Sequence, residues 1–159
     1  MVVVSDAGPL ISLAVIDQLG LLEALYSEVV ISETVWREVT RLIERFNIPQ
    51  IYTLESRVRP LVGVNTFSNI MDAGEAESAA LYQELGADYF IVDDGDARRT
   101  AEAHGIKCVG ALGVLLKSKE AGLITSLRPH FAVFVKQGRY YKKGFLNALL
   151  AENGEAPLP

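Results

Sequence analysis

Asp6 and Asp93 each stand where a run of apolar residues has to leave the interior. Val2-Val3-Val4 is a β-branched run that reads as a short buried strand. It meets Ser5-Asp6 and then Ala7-Gly8-Pro9, which is loop and helix-start chemistry, proline being favoured in a first helical turn. Tyr89-Phe90-Ile91-Val92 ends the same way, in Asp93-Asp94. A carboxylate at the end of a buried strand is costly unless water, a cation or a hydrogen-bond donor meets it. Two glutamates join these acids. Val35, Val39, Leu42 and Phe46 form an i, i+4, i+7, i+11 stripe that should face a core, and Glu38 lies at the edge of that stripe. Such a position is expensive for a charge that only solubilises. Glu75 opens a second helix, three residues after Asp72.

Anionic oxygens packed together repel one another, so a cluster persists only by protonation or by binding a cation. Oxygen-only ligands without His or Cys favour Mg²⁺ or Mn²⁺ over zinc. A cation of that kind can activate a water and stabilise the leaving oxygen in phosphodiester hydrolysis. Arg98, Arg99 and other C-terminal basic residues could then hold a phosphate backbone. Each acid also has a purely structural role open to it. Asp6 could cap the helix near Pro9, Glu75 could complete a capping box with Asp72, and Glu38 could pair with an arginine. Among Asp93, Asp94 and Asp96, one is expected to be a ligand and another to cap the next helix, with Asp93 favoured because it directly follows the strand.

The elements that must position these groups follow from the pattern of the chain. Pro9–Ile16 reads as an apolar helix, continued or restarted at Leu21–Tyr26 beyond Gly20. Val29–Ile31 is a second buried strand, and Ser32 is a good N-cap for a helix from Glu33 to about Phe46. Residues 47–71 are broken by Pro49, Pro60, Gly63 and Asn65 and read as a loop-rich insertion, with Ile51–Leu54 as one candidate edge strand. A helix from Asp72 to Leu85 ends at Gly86, a third strand runs from Tyr89 to Val92, and a helix from about Gly95 ends near Gly105. Lys107–Val109 is a fourth strand, followed by a helix over 112–120. The segment from about 127 to 152 reads as helical and basic, anchored by Phe131, Phe134, Phe145 and Leu149. Strands alternating with helices imply a parallel sheet covered on both faces, with ligands bound outside the carboxyl ends of its strands. Asp6 and Asp93 fall at that edge, and the helices bearing Glu38 and Glu75 can begin near it.

The 159 residues are enough for one domain with a sizeable core, and half of them are hydrophobic. The net charge of −5 hides a division: residues 1–97 hold 5 Lys/Arg against 16 Asp/Glu, and residues 98–159 hold 10 against 4. This suits a cation site beside an anion-binding surface, although charges that merely solvate helix faces would look the same. No apolar run approaches a membrane span and no basic-then-apolar leader opens the chain, so a soluble, cytoplasmic protein without membrane contact is expected. The single cysteine, Cys108, is expected to be a small buried hydrophobe.

With these residues assembled, the chain resembles a known family. Val4-Ser5-Asp6-Ala7-Gly8-Pro9-Leu10-Ile11-Ser12-Leu13, Val30 to Val39, Gly74-Glu75-Ala76-Glu77-Ser78-Ala79, Ile91-Val92-Asp93-Asp94, Ala97-Arg98-Arg99 and Gly110 to Leu116 are similar, in order and spacing, to PIN-domain nucleases. The likeness is to the small prokaryotic VapC-like branch and spans about residues 2–125. It implies a three-layer α/β/α sandwich with a mostly parallel central sheet over 1–125, and 126–159 as a helical extension of the same domain. It also implies a ribonuclease dependent on Mg²⁺ or Mn²⁺, commonly a toxin held inactive by a cognate antitoxin protein and commonly a homodimer. The family's acids fall on Asp6, Glu38, Glu75 and the Asp93-Asp94 pair, with Glu75 standing where many relatives have Asp. Ser5 and Ser12 would support the first acid or the substrate through hydrogen bonds. Two other readings compete. One is a PIN-like module that associates with nucleic acid or protein and does not cleave. The other is a Rossmann-like nucleotide or phosphoacceptor domain, weakened because the first strand here is not followed by a G-x-G-x-x-G loop.

Overall fold

A run of three valines at the start of the chain calls for an environment that is apolar on both sides, and the fold supplies it by making that strand the middle of a sheet. The computed structural model describes residues 1–159. Its strands are β1 (Val2–Ser5), β2 (Glu28–Ser32), β3 (Val58–Arg59), β4 (Tyr89–Ile91) and β5 (Cys108–Val109). They pair in the order β3-β2-β1-β4-β5, every pair parallel, with Val4 opposite both Val30 and Phe90. Alternate strand residues face opposite layers, as the pleat requires. Val3, Val29, Ile31, Ile91 and Val109 point into the larger core, while Val4, Val30, Phe90 and Val92 point into two smaller clusters on the other side.

Helices α1 (Ala7–Val15), α2 (Gly20–Leu25), α3 (Glu33–Arg41), α4 (Ile43–Phe46), α7 (Ala111–Glu120), α8 (Arg128–Lys136) and α9 (Lys143–Glu152) contribute apolar side chains to the larger core. Helices α5 (Ala73–Leu85) and α6 (Gly95–Ala103) cover the opposite face through Ala76, Ala79, Ala97 and Ala101, whose small side chains allow close packing. The expected three-layer α/β/α sandwich around a parallel sheet is the observed architecture.

Local expectations hold where short-range chemistry sets them. The Ser32 hydroxyl accepts from the Val35 amide at 3.1 Å, and Gly86 ends α5 at φ 62°. They fail where longer-range packing decides. Ile51–Leu54 is not a strand but part of a 3-10 helix, Pro49–Arg57, because Ile51 and Leu54 at i, i+3 bury on one side. The edge strand follows it, at Val58–Arg59. The helix expected from Glu33 to Phe46 breaks at Leu42 into α3 and α4. The break between α1 and α2 falls at Asp17 (φ 54°), and Gly20 begins α2.

The C-terminal segment is two helices, not one, joined by a turn through residues 137–142. Phe131, Phe134, Leu146, Leu150 and Leu158 enter the same core as Val3 and Leu10. Phe145, expected as an anchor, is exposed, and Leu146 takes that role. Phe131→Ala should therefore destabilise the whole chain by about 3–5 kcal/mol, the cost of emptying a fully buried aromatic position. Urea unfolding followed by circular dichroism and by Trp36 fluorescence should show one shared transition. A loss below about 1 kcal/mol would mean that α8 is not part of the cooperative unit.

Candidate active site

The order of the strands marks where a ligand belongs. From β1 the chain builds outward to β2 and β3, then crosses to the other side of β1 to build β4 and β5. The carboxyl ends of β1 and β4 therefore flank the switch point of the sheet, where open parallel sheets form a crevice. The Asp6 amide donates to the Ile91 carbonyl at 2.9 Å and ties the two strand ends together there.

A cavity of about 510 Å³ opens at this point, lined by Asp6, Glu38, Glu75, Asp93, Asp94 and Tyr140, with Ala7, Gly8 and Gly95 completing it. All four acids assigned to the site from sequence reach it, from β1, α3, α5 and the end of β4. Glu38 packs against the start of α5 at Gly74, where a Cβ would stand 2.5 Å from Glu38 Oε1.

The acids differ in their surroundings. Asp6 is 8% exposed and occupies the N-cap position of α1, yet its side chain makes no capping bond and its Oδ1 has no partner. Burial raises its pKa to about 7 against the pull of the Ala7 amide, with Glu75, Glu38 and Asp93 adding repulsion. Burial likewise raises Glu75 to about 7, reinforced by Asp94 and Asp72. Asp72 sits at the N-cap of α5 but closes no capping box through its side chain. Glu38 is raised too, chiefly by burial, and forms no ion pair; Arg41 and Arg37 only moderate the shift.

Asp93 is the exception among the four. Its Oδ1 accepts from the Ala111 amide at 2.8 Å, and its Oδ2 accepts from the Tyr140 and Tyr141 hydroxyls at 2.8 and 2.7 Å. Asp94 is the helix cap, its Oδ2 accepting from Ala97 N at 2.9 Å, while Asp96 pairs with Arg99 on the surface. Of these three acids Asp94 is the cap, and both Asp93 and Asp94 line the cavity.

Other assignments shift. Ser5 is fully buried and donates to the Asp6 backbone carbonyl at 3.1 Å, not to its carboxylate. Ser12 is also fully buried and touches neither Asp6 nor the cavity. It accepts from Arg139 Nη2 at 2.9 Å and lies 2.9 Å from the Tyr141 hydroxyl. Neither serine lines the cavity. Arg98 and Arg99 do not line the acid cavity: Arg98 pairs with Glu102 at 3.0 Å, and Arg99 is engaged with Asp96.

Arg139, Tyr140 and Tyr141 are the residues that sequence reasoning missed. The turn between α8 and α9 lays them across the switch point, where Arg139 also donates to the Gly8 carbonyl at 3.3 Å. Gly8 is needed beneath them, since a Cβ would stand 3.0 Å from the Tyr140 hydroxyl. The only local signal was a pair of tyrosines after Gly138-Arg139. Their partners lie 47 or more residues away.

No three His, Cys, Asp or Glu side chains lie close enough together, as they stand, to hold an ion. The donor set still suits a hard divalent cation: all its atoms are oxygens, and one is buried without a partner. Holding the ion would require the carboxylates to close together, which charge neutralisation favours.

An α/β domain with acids gathered at the switch point of a parallel sheet is a nuclease-type arrangement. A family model described as PIN domain matches residues 2–155, and the chain belongs to the PIN-domain family. Its fold is also similar to that of a PilT N-terminus domain protein from the archaeon Sulfolobus solfataricus P2. That likeness has 18% identity and a TM-score of 0.54, over 74% of this chain and 93% of the other. No curated protein matches the chain in sequence.

A pH dependence follows from Asp6. Because folding raises its pKa, its contribution to stability is full below the ordinary carboxylate pKa of about 4 and is lost as pH rises through about 7. Without divalent cations, Asp6→Asn should be more stable than wild type at about pH 8, by a few kcal/mol, and this advantage should fade toward about pH 5. Thermal melts in EDTA across that range test it; an advantage independent of pH would refute the buried-charge account.

Proposed function

We propose that the protein is an endoribonuclease that uses Mg²⁺ or Mn²⁺, held by Asp6, Glu38, Glu75 and Asp93, to hydrolyse RNA phosphodiester bonds. The observation that carries this reading is that carboxylates from four separate chain segments line one cavity, the most buried of them with an unpartnered oxygen. Nothing in the packing of a hydrophobic core requires that convergence, and it costs free energy until positive charge neutralises it. A bound cation would activate the attacking water and stabilise charge on the phosphate and the leaving oxygen. The chain's own groups have distinct parts. Asp6 and Glu75, with pKa values near 7, are ionised once a cation lies beside them. Asp93, oriented by Ala111 N and the two tyrosines, is the most rigidly placed ligand.

Titration calorimetry of Mn²⁺ and Mg²⁺, paired with cleavage of a structured RNA, tests the proposal. Wild type should bind and cleave, and Asp6→Asn should lose cleavage by at least about 10²-fold while remaining folded. Cleavage that survives in Asp6→Asn would remove the acidic cavity from the mechanism.

On this reading the protein belongs to the VapC-like branch, as the toxin of a type II pair with a cognate antitoxin protein, and acts as a homodimer. Expression alone should arrest bacterial growth, with relief on co-expression of a short neighbouring gene product or on Asp6→Asn substitution. Growth unaffected by an active nuclease would rule out the toxin role, and a monomer mass by light scattering would rule out the dimer. A second reading has an observation of its own: Asp93 is fully engaged by three donors and no three acids stand within coordinating reach. A PIN-like association module that does not cleave would show that arrangement permanently, and absence of cation binding by folded wild type would favour it.

A further inference from the structure

Beside the acid cavity lies a second cleft of about 360 Å³, between α6, β5, α7 and the C-terminal segment. The two share Asp93 and Tyr140 as a common wall. Leu112 and Leu116 give the second cleft an apolar lining, and it holds two cations, Arg98 and Lys117. The Lys117 ammonium has no carboxylate within salt-bridge distance and sits 4.3 Å from the Tyr89 ring centroid. Two aromatic side chains at this cleft are partly exposed, Tyr140 at 56% with the Arg139 guanidinium over its ring and Phe145 at 55%. Exposed large apolar groups beside an unpaired cation mark a surface that meets something else.

We propose that this cleft binds a nucleotide flanking the scissile phosphodiester, its base against Tyr140 or Phe145 and its phosphate on Lys117 and Arg98. The assignment rests on the nuclease reading and adds to it a specificity subsite. Single-stranded nucleic acids are held by aromatic faces that stack bases together with cations that track phosphates, and both are here within one cleft. The volume lies in the range of small-ligand sites. The shared wall sets the two cavities side by side, so a strand whose phosphate lies at the acids can place a neighbouring nucleotide on the far side of Tyr140. An apolar protein side chain could fill the same space, but it would leave Lys117 without an anion in a partly desolvated setting. That favours the nucleotide. Arg98 thus acquires a phosphate-binding role in this cleft, outside the acid cavity.

The test uses the full chain in EDTA, with AMP, CMP, GMP, UMP, their nucleosides and inorganic phosphate as probes, read by amide chemical shifts. At least one monophosphate should shift Gly110, Gly113 and Lys117, binding at least about tenfold more tightly than its nucleoside or phosphate alone. Phe145→Ala, which removes an exposed ring and leaves the core intact, and Lys117→Met should each weaken binding about tenfold. In parallel Mn²⁺ cleavage assays, both substitutions should raise KM and alter the preferred base beside the cut. Shifts equal to those from phosphate alone would overturn the subsite. So would a KM and base preference that neither substitution moves. Amides that respond to a leucine-rich peptide but to no nucleotide would overturn it in favour of a protein partner. Nucleotide binding by a wild type that cuts no RNA would overturn the nuclease reading while leaving the cleft a nucleotide site.

Discussion

Burial of one carboxylate at the end of the central strand is the constraint around which the rest of this structure is arranged. Asp6 cannot move away, because its amide is tied to Ile91 and its strand is hydrogen-bonded on both sides. Capping does not relieve its charge, because the side chain makes no capping bond to α1 and Oδ1 has no hydrogen-bond partner. Protonation or a cation is the remaining way to lower its energy. Glu38 and Glu75 stand at the same cavity, and burial and neighbouring acids raise their pKa values too. Such a cost is tolerated when the group serves a ligand.

Asp93 shows the contrasting solution. Arg139 donates to Ser12, Ser12 bonds to Tyr141, and Tyr141 donates to Asp93, a chain of polar groups that fixes one carboxylate by means of residues 127 to 131 positions from the first helix. Burial and the adjoining Asp93 charge push both tyrosine hydroxyls well above their ordinary pKa, so they remain donors. The turn between α8 and α9 is thus part of the site, and its position depends on Phe131, Phe134 and Leu146 being seated in the main core. Packing far from the acids determines how rigidly one of them is held.

The same turn separates two cavities of unlike character. On one side of Tyr140 the lining is acidic; on the other it is largely apolar with two cationic side chains. The uneven distribution of charge along the chain therefore has a spatial counterpart. Acids from residues 6 to 94 gather on one side of the ring, and Arg98 and Lys117 stand on the other.

What the sequence determined by itself were the features set by neighbours close in the chain. Val2 to Val4 and Tyr89 to Ile91 had to be strands, Ser32 a cap and Gly86 a stop, because β-branching, side-chain acceptors and positive φ act within a few residues. The carboxylates were legible for the same reason, since an acid at the end of an apolar run is anomalous wherever the chain then goes. Only the tertiary structure decided what depends on distant partners. It made Ile51 to Leu54 a 3-10 helix by offering a core to one face, and it buried Ser12 beneath Arg139 and Tyr141. It also brought Tyr140 and Tyr141 onto Asp93 across more than 45 residues of sequence. Those contacts arise from the order in which the sheet is built and from where α8 and α9 return to it, and no local pattern of residues encodes either.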